Sequence, residues 1–321
     1  KFKNDNNIDY SEDEIMVGVG GKHIIYNAMM ATLNPGDEVI IPAPFWVSYP
    51  DIVLLAEGKP IIVSCDEENE FKITPSDLET NINSKTKWLF LNSPSNPTGS
   101  VYTKEELISI GNVLKKYPQV FVLTDDIYEK IIYDESKFYT IASLIPELKD
   151  RTLTLNGVSK AYCMTGWRLG YCGANKEIIK AMNKIQSQSN SSTSSISMAA
   201  SVEALLGNQD FIALHNAEFK KRRDIVVEKL NSIEGISCAI PPGAFYVYPN
   251  CSGIMGSKTP DGKLIDTDEK FMTYLLESEG VAGVQGEAFG LSPYFRLSYA
   301  TNEKILIDAC NRIEKACLNL N

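Results

Sequence analysis

The chain has 321 residues, 44% of them hydrophobic, and a formal net charge of −10. That is enough apolar material for a large core and a length compatible with one to three domains, while the acidic balance excludes nucleic acid and anionic lipid as general partners. Only two histidines, His23 and His215, are present, so no histidine-rich metal site is expected; no apolar run reaches membrane-spanning length.

The stretch Lys1 to Glu14 is polar and acidic, without the apolar core of a secretory signal. Seven cysteines with no C-x-x-C pair read as small buried residues of a reducing compartment. A cytoplasmic protein is therefore expected. Gly18-Val19-Gly20-Gly21-Lys22 then forms a glycine turn opening a helix over Lys22 to Leu33. A helix N-terminus offers free N–H groups and the positive end of a dipole to a phosphate. The turn only superficially matches a dinucleotide fingerprint. His23 occupies its third glycine position, no convincing strand precedes it, and a P-loop would need glycine at Met16 and Ser or Thr at His23.

Short apolar runs at Val39 to Ile41, Pro60 to Val63, Trp88 to Leu91, Val120 to Leu123, Thr152 to Leu155 and Leu169 to Gly173 predict strands. Helices are predicted between them over Phe45 to Ala56, Thr103 to Lys116 and Ile178 to Gln188, with Thr103 and Glu106 spaced as a capping box. Such alternation implies an α/β fold, a mainly parallel sheet covered by helices. Gln186 to Ser197, rich in Ser, Asn and Thr, reads as a linker or exposed loop. Asp210 to Ser232 reads as one long amphipathic helix, and its basic cluster Lys220-Lys221-Arg222-Arg223 as a solvated face. Beyond it the pattern changes. Strands over Pro241 to Tyr248, Val281 to Val284 and Phe295 to Tyr299, with helices over Phe271 to Ser278 and Glu303 to Leu318, predict a smaller α+β domain. The expected division is residues 1–232, including the long helix 210–232, and residues 233–321.

Three strand ends carry unusual side chains. The run ending at Leu91 delivers the loop Asn92-Ser93-Pro94-Ser95-Asn96-Pro97-Thr98-Gly99, at the edge where open α/β sheets place ligands. The run ending at Leu123 delivers Thr124-Asp125-Asp126-Ile127-Tyr128. After Leu155 come Lys160 and, eight residues later, Arg168. A lysine amine can form a Schiff base with an aldehyde, and an arginine can hold a phosphate. Together they suggest pyridoxal phosphate (PLP), a cofactor that acts as an electron sink.

In this order and spacing the blocks Pro35 to Pro50, Asn92 to Gly99, Ser159 to Tyr171 and Phe295 to Thr301 resemble the class I aminotransferases of PLP fold type I, over nearly the whole chain. The likeness is to their bacterial aspartate aminotransferase subgroup. The resemblance implies transamination between aspartate or glutamate and a 2-oxo acid such as 2-oxoglutarate. Prephenate or aromatic transamination is one alternative; a truncated PLP-fold protein without activity is another. It implies PLP held as a Schiff base by Lys160, which also moves the Cα proton. Asp125 would face the pyridine nitrogen, with Asp126 its rival one residue on; Tyr128 and Asn96 would bond the cofactor's phenolic oxygen. Trp46 would stack on the ring, and Arg168 with the amides near Gly21 and Lys22 would hold the phosphate. Arg296 would pair with the substrate's α-carboxylate, beside Trp46 and Asn96, and Lys22 is a candidate to meet a distal carboxylate, its side-chain direction being open in the sequence. For each of these residues an ordinary structural role, as core side chain, helix cap or ion pair, stays open. A homodimer is implied, with Gln186 to Ser197 reaching the neighbouring subunit.

Several positions depart from the subgroup. Gly157 stands where many relatives carry serine, and His23 where glutamine is common. Relatives also have a substantial segment before the region of Tyr10 to Gly20, which completes the small domain and closes over substrate. Nothing in Lys1 to Ile15 supplies it, so the chain is expected to be a fragment of a longer enzyme and, as a fragment, to bind PLP weakly or be found without it.

Overall fold

The computed structural model describes residues 1–321. Seven strands form one sheet: β1 (Ile15–Gly18), β2 (Glu38–Ala43), β3 (Lys59–Ser64), β4 (Thr86–Asn92), β5 (Phe121–Asp125), β6 (Thr152–Gly157) and β7 (Gly170–Gly173). Their order is β1-β7-β6-β5-β4-β2-β3. Neighbours from β3 through β6 pair in parallel, and only β7 runs against both of its neighbours. The six strands expected from the sequence are all present. β1 was not legible: the turn at Gly18 to Gly21 does follow a strand, and that strand pairs antiparallel with β7.

The sheet is covered on both faces, as parallel strands require. Helices α1 (Phe2–Asn6), α2 (Gly21–Thr32), α3 (Ser48–Leu55), α4 (Pro75–Asn81), α5 (Lys104–Lys115), α6 (Ile141–Leu144) and α7 (Lys176–Ser189) accompany it. One face packs Ile25 and Met29 of α2, Ile52 of α3 and Met182 of α7 against Val39, Ile41, Trp88, Phe90, Leu123 and Leu155. The other packs Leu78 of α4, Ile110 of α5 and Ile141 of α6 against Ile40, Leu89, Leu91 and Val122. Side chains alternate between faces along a strand. Asp125 shares its parity with Leu123 and so falls on the α2–α3 face. At Thr103 the expected capping box forms: Thr103 Oγ1 accepts from the Glu106 N–H at 3.2 Å, and Glu106 Oε2 from the Thr103 N–H at 2.7 Å.

Helices α8 (Ser195–Leu206) and α9 (Asp210–Asn231) follow. The polar stretch Gln186 to Ser197 is thus not one long loop. Most of it extends α7 or starts α8, because Ser194 Oγ accepts the Ser197 N–H and caps the second helix. The basic cluster on α9 is likewise only partly solvated: Arg223 is 2% exposed and pairs with Asp134 and Asp224.

A second sheet of three antiparallel strands follows, β8 (Tyr246–Val247), β10 (Phe295–Ser298) and β9 (Val284–Gln285), in the order β8-β10-β9. Its strands are shorter than expected: Pro241 and Pro242 carry no N–H to donate to a ladder. Helices α10 (Asp268–Glu279) and α11 (Glu303–Leu318) pack on it with the end of α9, burying Leu230, Phe271, Leu275, Phe295 and Ile313. The turn Pro242-Gly243-Ala244 is bonded to loops of the first sheet. The Gly243 N–H donates to Gly99 O (3.0 Å), the Ala244 N–H to Ile131 O (2.9 Å), and the Tyr133 N–H to Pro242 O (2.9 Å). No helix is long and apolar enough to cross a membrane.

Candidate active site

A cavity of about 260 Å³ opens where the parallel strands end. Each wall comes from a strand exit. The β1–α2 turn contributes Gly21 and Lys22, the β2–α3 loop Trp46, β4 and its loop Asn92 and Asn96, β5 Asp125 and then Tyr128, and the loop after β6 Lys160 and Arg168. All eight residues expected to bind a cofactor therefore meet in one place. Arg296 does not form the cavity wall itself. From β10 it reaches the wall through Asn96, its Nη1 donating to Asn96 Oδ1 at 2.9 Å.

Asp125 is 6% exposed at the cavity floor. Tyr49 Oη donates to its Oδ2 at 2.7 Å, and the Ile127 N–H lies 3.4 Å from its Oδ1. Burial pushes its carboxyl up to about 6, against the pull of those two hydrogen bonds and of the Lys160 charge. Both hydrogen-bond partners are neutral, which leaves the carboxylate short of a cation. Asp126 points elsewhere. Thr124 Oγ1 donates to its Oδ1 at 2.5 Å, its Oδ2 has no partner, and burial pushes its carboxyl up to about 8.

That shift has a consequence for stability. A carboxyl raised from 3.8 to about 8 on folding keeps a proton that the unfolded chain has released. Its contribution is therefore present below about pH 4 and is lost as pH rises toward 8, at up to about 1.4 kcal/mol per pH unit. Asp126→Asn should flatten this fall. Urea denaturation at pH 5 and pH 8 is expected to show a smaller difference in the variant than in the unsubstituted chain; equal differences would place Asp126 in a solvated setting.

Lys160 leaves β6 three residues past Gly157. Its Nζ lies 5.6 Å from the centre of the Tyr128 ring and 5.9 Å from that of Phe245. Burial lowers its pKa; Arg296 and Arg168 act in the same direction and Asp125 opposes them. The result is a larger share of neutral, nucleophilic amine than a solvated lysine offers.

The opposite end is cationic. Arg168 adopts φ 51°, and its Nη1 donates to Thr165 O at 3.0 Å. Gly20 has φ 85°, and a Cβ there would lie 2.7 Å from Arg168 Nη2. A Cβ at Gly170 would lie 2.5 Å from Gly21 N. The two glycines thus let the guanidinium and the first turn of α2 converge. Lys22 Nζ stands 4.9 Å from the Trp46 ring centre. Gly157 is enclosed: a Cβ there would meet Leu169 O at 3.2 Å, so this chain has no room for a larger residue without a small shift.

Several wall and supporting residues escaped the sequence reading. Asn92 stitches two walls together, donating from Nδ2 to Asp125 O and accepting the Asn96 N–H at Oδ1, both at 2.8 Å. Ser159 and Thr165 line the cavity beside Lys160 and Arg168. Tyr246 Oη lies 3.0 Å from Tyr128 Oη, and its ring centre 4.6 Å from the Arg296 guanidinium, which Phe289 flanks at 5.0 Å. Ser159 could have been found from its place next to Lys160. Tyr49 and Tyr246 had no local signal.

Residues 1–313 match the family model for aminotransferases of class I and II. A Rhizobium leguminosarum protein named "Probable aspartate/prephenate aminotransferase" is 56% identical over 317 residues, 99% of this chain and 79% of that protein. The "Aspartate/prephenate aminotransferase" of Cereibacter sphaeroides is 53% identical over 321 residues, 100% of this chain and 80% of that protein. Among solved structures, the Rhizobium meliloti aspartate aminotransferase superposes with a TM-score of 0.98 at 53% identity, covering 100% of this chain and 80% of that one. The Thermus thermophilus aspartate aminotransferase with maleate gives 0.91 at 36% identity, covering 98% and 79%.

The fold is that of a PLP-dependent transferase of fold type I. The chain belongs to the class I and II aminotransferase family, and it is an aspartate aminotransferase-like enzyme. The residues present fit the cofactor the family uses. The cavity offers an arginine and a helix terminus for an anion, a buried carboxylate short of a cation, an amine of lowered pKa between them, and an indole face.

Proposed function

We propose that this chain moves an amino group between aspartate or glutamate and a 2-oxo acid such as 2-oxoglutarate, with PLP carried as a Schiff base on Lys160. One observation carries the reading: Lys160, Asp125 and Arg168 share a single cavity, with Arg296 joined to its wall through Asn96. When bound, the cofactor supplies an electron sink. The remaining work belongs to the chain's side chains. Arg168 and the N–H groups at Gly21 and Lys22 hold the phosphate. Asp125 keeps the pyridine nitrogen protonated, which also relieves its own buried charge. Tyr128 and Asn96 bond the phenolic oxygen, and Trp46 covers the ring face. The Lys160 amine would take the proton from the substrate Cα at Nζ.

Arg296 pairs with the α-carboxylate. Its guanidinium is already held by Asn96 and two aromatic rings, so little side-chain freedom is lost on binding. Arg296→Ala should weaken every amino-acid substrate by on the order of 2 kcal/mol or more, while amines without a carboxylate are little affected. Steady-state kinetics with matched amino acids and amines checks this; equal losses would make Arg296 a structural ion. Lys22, at the cavity rim beside Trp46, is suited to a distal carboxylate and supports a dicarboxylic substrate.

A second reading, prephenate as amino acceptor, is favoured by the names of two relatives above 50% identity. Product analysis with aspartate or glutamate as donor, and 2-oxoglutarate or prephenate as acceptor, separates the two. Transfer from neither donor would sink both.

We also infer a homodimer. Its support is the apolar surface on consecutive helices: Ile196, Val202 and Leu206 of α8 and Leu214 of α9 are all more than half exposed. Sedimentation velocity at micromolar concentration should give a dimer, and a monomer throughout would refute it. Five buried thiols, all free, support a reducing compartment and hence the cytoplasm.

A further inference from the structure

We propose that His23 is a positioning residue for the phosphate cradle: its imidazole holds the turn that aims the first N–H groups of α2 beside Arg168. The inference rests on the reading of that end of the cavity as a phosphate site.

The helix α2 begins at Gly21 with Gly20 as its N-cap, and Gly20 has no side chain to satisfy the free N–H groups of the first turn. The chain enters through a three-residue turn in which the Gly20 N–H donates to Gly18 O at 2.8 Å. Val19 is the middle residue of that turn, and its N–H has no backbone acceptor there. His23 is the third residue of the helix. Side chains on a helix lean toward its N-terminus, so this position can reach back over the entry, as the glutamate of a capping box does. It does so here: the Val19 N–H donates to His23 Nδ1 at 3.2 Å. An accepting Nδ1 leaves the ring's proton on Nε2, the neutral imidazole. Burial lowers the pKa of His23, which favours the same form.

The turn is closely fitted on all sides. A Cβ at Gly18 would lie 2.7 Å from Ile24 Cδ1 and 3.3 Å from His23 Nδ1. The Arg168 guanidinium occupies the space a side chain at Gly20 would need, and Gly170 presses on Gly20 and Gly21 from β7. A change in the path of Val19 and Gly20 therefore moves the N–H groups of α2 relative to Arg168. An acceptor at position 23 is what holds that path.

The test uses the cofactor-free protein and inorganic phosphate, read as the phosphate-dependent rise in melting temperature of each variant relative to its own phosphate-free value. His23→Leu removes the acceptor and should weaken phosphate binding roughly fivefold, the size of one hydrogen bond. His23→Gln restores an acceptor and should bind within about twofold of the unsubstituted protein. Arg168→Ala should lose more than His23→Leu. If His23→Leu does not fold, His23→Ala takes its place. Phosphate affinity unchanged in His23→Leu while Arg168→Ala loses it would overturn the role of His23 alone. Equal losses in His23→Gln and His23→Leu would also overturn it, since the acceptor would then not be the cause. Unchanged affinity in Arg168→Ala would overturn the phosphate-site reading and the inference with it.

Discussion

Lys160→Ala is expected to lower turnover by on the order of 10⁴-fold or more, because one side chain holds the cofactor and also moves the proton. The fold should survive. Lys160 is only partly buried, lines a cavity rather than a core, and its close neighbours are the faces of Tyr128 and Phe245. Truncation there removes few packing contacts. It also removes a cation whose field favours ionised Asp125, so the aspartate should hold its proton to still higher pH in the cofactor-free variant. Half-reaction rates with aspartate test the main claim. Borohydride should fix the cofactor to a peptide containing Lys160 in the unsubstituted protein and to none in the variant. Ordinary turnover by Lys160→Ala would end the assignment.

Asp125→Asn is expected to slow proton abstraction by on the order of 10³-fold, with a smaller effect on cofactor affinity. An amide keeps the shape and the hydrogen bond to Tyr49 but cannot hold a neighbouring ring nitrogen protonated. Asp126→Asn should change neither by much, since Asp126 is bonded to Thr124 and lies outside the cavity wall. Pre-steady-state measurement of the two variants under one set of conditions compares them directly. If Asp126→Asn were the crippling change, the assignment would be displaced by one residue.

The choice between those aspartates shows what was legible. Strand parity alone puts Asp125 on the face with Leu123, Leu155 and Tyr49. A buried strand, its exit loop and a chemically unusual side chain at the exit are all local features, so Asp125, Lys160, Arg168 and the Asn96 loop stood out in the chain, while the part given to Trp46 and Tyr128 came only from the family resemblance. Tyr49 could not, because its meaning lies in a partner 76 positions away. β1 was hidden for a similar reason. Its four residues become a strand by pairing with β7, more than 150 positions later. Arg223 looked like its basic neighbours because the carboxylate that lets it be buried, Asp134, is 89 positions distant. The polar stretch after Gln186 misled in another way: serine suits a loop, but it equally suits the cap that starts α8.

The turn at Pro242 to Ala244 bears on mechanics. Three backbone hydrogen bonds fasten it to the loops after β4 and β5, and at Gly99 the two backbones are so close that a Cβ would sit 2.5 Å from Gly243 O. Such a junction resists sliding, which would break all three bonds together. The turn stands on the same loop that carries Asn96, and that loop is tied to the second sheet again where Arg296 donates to Asn96. A load on the second sheet is therefore shared by the Asn96 loop at two points, the backbone of Gly99 and the side-chain amide of Asn96.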